Sequence, residues 1–142
     1  MSTQNPRIRN ILVGLMLVYG AASLVHFTHN AEFLHDYPNM PGWLSREAIY
    51  VAWSVVAAVG ITGYAAWRRG HVMTGLSLIA VYAASGFDTL AHYALASFGA
   101  HRFVMHLTIW VEVLAAAILF AVVVGYMATL SLMKLRLDGR CS

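Results

Sequence analysis

HRFVMHLTIWVEVLAAAILFAVVVGYMATLSLM, residues 101–133, decides the fold. Beyond Arg102 its only formal charge is Glu112. An apolar run this long reads as a membrane-spanning helix, because about 20 predominantly apolar residues, each rising about 1.5 Å, cross the hydrocarbon core of a bilayer. On its far side lies a polar tail with Lys134, Arg136, Asp138 and Arg140. On its near side, a short break at Gly99 separates it from an apolar stretch over 72–98. Before that, 47–67 carries no charge after Glu47 and stops at Arg68-Arg69-Gly70, a connection short enough for a tight antiparallel hairpin. The first apolar run, 11–29, follows Arg7 and Arg9. A cleavable signal sequence competes for that run, since Gly20, Ala21, Ala22 and Ser23 follow its apolar core; retention as a helix is the expectation.

The sequence therefore predicts an all-α integral membrane protein, one domain over residues 1–142, folded as a four-transmembrane-helix bundle. Composition agrees, with 60% hydrophobic and 11% charged residues and a mean hydropathy of +0.67, whereas soluble domains carry about 25% charged residues. The net charge of +3 gathers at segment ends and is not a nucleic-acid signal. The single cysteine, Cys141, offers neither an internal disulfide nor a thiolate metal site. Seven basic residues (Arg7, Arg9, Arg68, Arg69, Lys134, Arg136, Arg140) fall on the side of the termini and two (Arg46, Arg102) on the other. The positive-inside rule then puts both termini in the cytoplasm, in a bacterial inner membrane. Tyr37, Trp43 and Phe98 are expected in an outer aromatic belt, and Tyr64, Trp67 and Tyr126 in an inner one.

Residues 30–45 form a polar and aromatic loop with Pro38 and Pro41, and Ser45 is placed to cap the second helix. Gly60, Gly63 and the run Ala115 to Ala117 read as close helix packing. No phosphate-binding glycine loop or nucleophile elbow occurs.

On this topology six of the seven histidines and five of the six acids belong to the outer half. Ionisable groups at membrane depth are functional candidates, because their burial costs several kcal/mol unless they are paired, protonated or bound. Helical spacing collects them into stripes. Helix 1 aligns Tyr19, Ser23, His26 and His29; helix 3 aligns Tyr82, Ser85, Asp88 and His92. Helix 4 has two polar faces, His106 with Trp110 and His101 with Met105, Thr108 and Glu112. The sharpest reading is a metal site of His26, His29, Asp88, His92 and His106, with Asp88 and Glu112 as catalytic acids and His101 at the rim. Imidazole and carboxylate without thiolate suit copper, zinc or iron. His35, Asp36, Glu47 and His71 read as solvated loop or helix-end groups.

Asp88-x₃-His92 with a downstream His101 or His106 resembles the copper site in the membrane C subunit of particulate methane monooxygenase, over those residues alone. That resemblance implies copper. The expected function is a metal-dependent enzyme acting on a membrane-soluble or amphiphilic substrate, or a metal-binding accessory subunit. Two alternatives stand beside it: a b-type cytochrome whose haem is held by two histidines, and a cofactor-free proton or small-solute pathway, to which a lipid-derived substrate pocket with acid–base residues also belongs. The bilayer, an amphiphile and further copies of the chain are the expected partners.

Overall fold

The structure, a computed structural model, describes residues 6–138; Arg140 and Cys141 lie outside the described residues. Five α-helices carry the fold: α1 (Pro6–Glu32), α2 (Arg46–Arg68), α3 (Val72–Ala84), α4 (His92–Leu95) and α5 (Phe103–Asp138). A 3-10 segment, Ser85–Ala91, joins α3 to α4. α1, α2, the composite Val72–Leu95 and α5 are each long and apolar enough to cross a membrane, and no strand occurs among the described residues. The four-helix expectation stands at that level.

Local chemistry explains the boundaries. Ser45 caps α2, its Oγ accepting from the Ala48 N–H at 3.2 Å. Gly70, at φ +93°, makes the left-handed turn that closes the α2–α3 hairpin. That hairpin is unusually tight. Gly63 and Gly75 face each other so closely that a Cβ on Gly75 would lie 2.7 Å from the Gly63 carbonyl oxygen and 2.4 Å from the Trp67 nitrogen. Small residues let two backbones approach to this distance, as the glycine spacing predicted for Gly60 and Gly63.

The third span is not one continuous helix, contrary to the expectation for 72–98. Ser85 Oγ donates to the Tyr82 carbonyl at 2.8 Å and reaches that of Val81 at 3.2 Å, competing for acceptors that an α-helix would use itself. Thr89 Oγ1 does the same to Gly86 at 3.1 Å. Seven residues of 3-10 helix exceed the usual run of about three or four, and such stretches inside a span mark hinges or functional sites. Gly86 sits where a Cβ would meet Ala116 Cβ at 2.5 Å and Tyr19 at 2.8 Å, so the unwound segment presses directly on α1 and α5.

The bundle has two unlike ends. Around the α2–α3 hairpin the interior is apolar, with Leu12, Trp67, Leu76, Ile79, Leu119 and Val123 fully buried. Trp67 is therefore core rather than an interfacial anchor. At the opposite end the interior is polar, and loops clasp it. Glu32 receives Arg46 at 2.7 Å and the Tyr50 hydroxyl at 2.8 Å, Arg102 meets Asp36 at 3.0 Å, and Asn39 Nδ2 donates to the Leu95 carbonyl at 2.8 Å. Each exposed ion pair contributes at most about 1 kcal/mol, so the clasp fixes loop position more than it stabilises the fold. Trp43 and Phe98 project outward as expected, whereas Tyr37 turns inward and is buried.

Candidate functional site: a buried histidine and tyrosine cluster

Position on α1 determines what the polar interior contains. Tyr19, Ser23, His26 and Asn30, spaced four, three and four residues apart, occupy one buried stripe of that helix. α5 answers with Thr108 and Glu112, and the preceding loop with His101, all buried. His92, at the start of α4, completes the group.

Hydrogen bonds fix several ring orientations. Thr108 Oγ1 donates its single proton to the Met105 carbonyl at 3.1 Å, so toward His26 it acts as acceptor for Nδ1–H at 3.2 Å. That leaves the His26 Nε2 lone pair available. Likewise His101 donates Nδ1–H to the Ser97 carbonyl at 3.1 Å, and its buried Nε2 has no partner. Asn30 Nδ2 approaches His92 Nε2 at 3.5 Å. Ring centroids run His26 to His92 at 5.5 Å, His92 to His101 at 6.4 Å and His101 to His106 at 5.7 Å. Tyr37 lies 4.9 Å from His92 and hydrogen-bonds His29 Nδ1 at 2.9 Å. Titratable rings thus touch one another from the loop surface into the bundle.

Below His26 the file continues through Ser23 to Tyr19 and the Glu112 carboxyl, which is 0% exposed. Ser23 and Tyr19 lie near Glu112, yet both of its oxygens, Ser23 Oγ and the Tyr19 hydroxyl lack a hydrogen-bond partner. Unpartnered buried polar atoms are rare in folded proteins, and each costs stability where it sits. Beneath Glu112 the apolar core closes the file.

A cleft of about 300 Å³ opens beside this column, lined by His26, Asn30, Ser85, Asp88, Thr89 and His92 on its polar side and by Phe27, Met40, Ala52 and Val56 on its apolar side. Three of the five residues expected as metal ligands, His26, Asp88 and His92, therefore border one space. The other two do not. His29 pairs with Tyr37 and borders a separate hollow with Asp36 and Arg102, while His106 stacks on Phe98 at 4.0 Å and bonds the Tyr93 hydroxyl at 2.8 Å. Among the described residues no three His, Cys, Asp or Glu side chains form a group that could hold a metal ion. The helical spacing of Asp88 and His92 fails for a clear reason: across four residues, 3-10 geometry turns them about 120° apart instead of about 40°. Asp88 consequently sits exposed at the cleft edge.

His101 moves the other way. Expected at the rim, it is buried against His92 and Tyr93. Its place on the stripe with Met105, Thr108 and Glu112, all buried, was the signal that marked it. Sequence reasoning missed Asn30 and the inward turn of Tyr37. His35, Glu47 and His71 are exposed, as expected of loop and helix-end groups.

Burial pushes the Tyr37 phenol up to about 12, with a hydrogen-bonding contribution from Thr108 acting in the opposite direction. Its native pKa is thus raised above the unfolded value of about 10, so this contribution to stability is complete below about pH 10 and is lost as pH climbs toward about 12. In chemical denaturation across that window, stability should fall with pH in the parent and fall less in Tyr37→Phe. Parallel profiles would contradict the burial of the phenol.

The fold and the cluster together define a class: an all-helical protein with four membrane-length apolar helices and a buried imidazole–phenol–carboxyl column that is closed at one end. No family model matches the chain, and neither the curated proteins nor the solved structures contain a match to it.

Proposed function

We propose that the protein spans a membrane with the cleft end outward and the termini in the cytoplasm, and that the cleft binds a small amphipathic molecule from the bilayer for acid–base chemistry. The observation that carries this reading is the dead end. Polar groups run from the loops through His92 and His26 to Glu112, then stop at a fully buried apolar layer of Leu12, Leu76, Ile79 and Leu119. A transmembrane proton or solute pathway needs polar groups on both sides, whereas a binding site needs one mouth and a wall. In the cleft, His26 and His92 present imidazole nitrogens, and Asp88 supplies a carboxylate at the edge.

Equilibrium binding of a radiolabelled long-chain alcohol to the protein in nanodiscs tests the reading. Saturable binding is expected, weakened about tenfold or more in His92→Ala and in Asp88→Asn, a loss of about 1.4 kcal/mol. Unchanged affinity in both variants rejects it.

A metal-dependent version of the same site is favoured by one observation, the placement of His26, Asp88 and His92 around a single cleft. It requires side-chain movement to bring three ligands together. Elemental analysis decides it: stoichiometric zinc, copper or iron, lost in His92→Ala, supports the metal site, and its absence in protein grown with ample metal removes it. For haem, the rings of His26 and His92 have centroids 5.5 Å apart, and a visible-region absorption spectrum decides that reading: a Soret band supports it, and its absence in protein grown with ample iron removes it.

A further inference from the structure

The polar cleft does not end where its polar residues end. Below it, the seam between α1 and α2 opens into a hollow of about 390 Å³ bordered by Leu24, Trp53, Ala57 and Ile61, with Tyr82 as its floor. A third hollow, of about 230 Å³, shares Met16, Leu17 and Ile61 with the second and reaches Tyr64. The cleft and the second hollow share no lining residue, but their linings follow one another along the same two helices, Ala52 and Val56 beside Trp53 and Ala57 on α2, and Phe27 one turn above Leu24 on α1. From Ala52 to Tyr64 the seam follows α2 for about 18 Å at 1.5 Å per residue.

Two glycines make the seam possible. A Cβ on Gly20 would lie 2.9 Å from the Tyr82 hydroxyl and one on Gly60 2.8 Å from its ring, so Tyr82 fits between α1 and α2 only because both lack side chains. The resulting groove is polar at one end and apolar along the rest. Its polar end has a distinctive charge: Asp88 is the one formally charged residue lining the cleft, and no Lys or Arg lines it among the described residues. A carboxylate or phosphate headgroup would meet that acid without a compensating cation.

From this we infer that the ligand is a single-chain amphiphile whose head carries a hydroxyl or protonated amine donor and no negative charge. The head sits among His26, Asp88 and His92, and the chain lies along the α1–α2 seam. This inference rests on the proposed binding function and specifies its ligand. A lone chain suits a groove one helix seam wide, and the donor head suits a cleft rich in acceptors. A long-chain alcohol and a long-chain amine share this chemistry, and the experiment separates them.

The test uses the full chain in nanodiscs with three photoreactive probes of equal length, carrying a diazirine near the chain terminus: an alcohol, an amine and a fatty acid. Adducts are mapped by mass spectrometry. The alcohol or the amine, or both, should label α1 and α2 near Leu17, Ala57 and Ile61, with the fatty acid labelling at least about tenfold less there. Ala57→Phe, which fills the groove from a partly exposed position, should cut that labelling about tenfold while radiolabelled short-chain alcohol still binds the cleft. Ala21→Phe serves as an independent second variant. Asp88→Asn should weaken the amine far more than the alcohol if the amine is the better ligand. Fatty-acid labelling equal to the others, labelling spread evenly over all lipid-facing helices, chain-to-chain adducts at the seam, or indifference to both phenylalanine variants overturns the inference. If those variants change nothing while His92→Ala abolishes binding, the chain placement fails and the cleft function survives. Loss of neither removes both.

Discussion

Gly75→Ala is expected to lower the stability of the folded protein by about 1–3 kcal/mol, even though alanine is the better helix former by about 1 kcal/mol. The added Cβ would lie 2.4 Å from the Trp67 nitrogen, 2.6 Å from Trp67 Cβ and 2.7 Å from the Gly63 oxygen. Two of those three are backbone atoms, which cannot rotate away, so α2 and α3 must separate. Gly75→Leu should prevent the hairpin from closing. The control is Gly14→Ala, where nothing lies within 4 Å and only the helix-propensity gain remains. Thermal unfolding in mild detergent should rank Gly14→Ala at or above the parent, with Gly75→Ala well below both. Equal midpoints for the two alanines would contradict the close backbone contact.

Glu112→Leu is expected to do the opposite and stabilise the protein by about 1–3 kcal/mol, the usual cost of a buried polar group left without partners. Its carboxyl is fully buried, and no well-formed hydrogen bond reaches either of its oxygens, although the Ser23 and Tyr19 hydroxyls lie beside it. Glu112→Gln, which retains polarity, should fall between parent and Leu. A destabilised Glu112→Leu would mean instead that the carboxyl is held by a bound ion or water whose loss costs more than the burial.

Most of the fold was legible from hydropathy, because a bilayer-length apolar run leaves few alternatives and the breaks at Arg68-Arg69-Gly70 and Gly99 are strong. Ser45 as a cap and Gly63 as a packing residue were readable for similarly local reasons. The site was legible in part. The inward face of α1 that carries Tyr19, Ser23 and His26 was read correctly because α1 is a regular helix, where a spacing of three or four residues fixes the face. The shared face of Asp88 and His92 was misread because regular α-helical spacing was assumed across Ser85–Ala91, where the segment is 3-10 helix and side chains four residues apart diverge. His101 turned inward and His106 outward because the fourth span and the turn before it offer two polar faces, and His106 packs on Tyr93 and Phe98. Tyr37 depended on a loop path set by Asn39 and by the Arg102–Asp36 pair, long-range contacts that no local pattern encodes.

The central claim is that His26 and His92 meet a ligand in the cleft, and the imidazole nitrogens report on it directly. In nanodiscs containing protein with ¹⁵N-labelled histidine, addition of a long-chain alcohol or amine should shift the ring resonances of His26 and His92. Those of His35 and His71, exposed and absent from the cleft lining, should stay in place. Saturating ligand that leaves His26 and His92 unmoved, or that moves all seven histidines alike, would contradict the account.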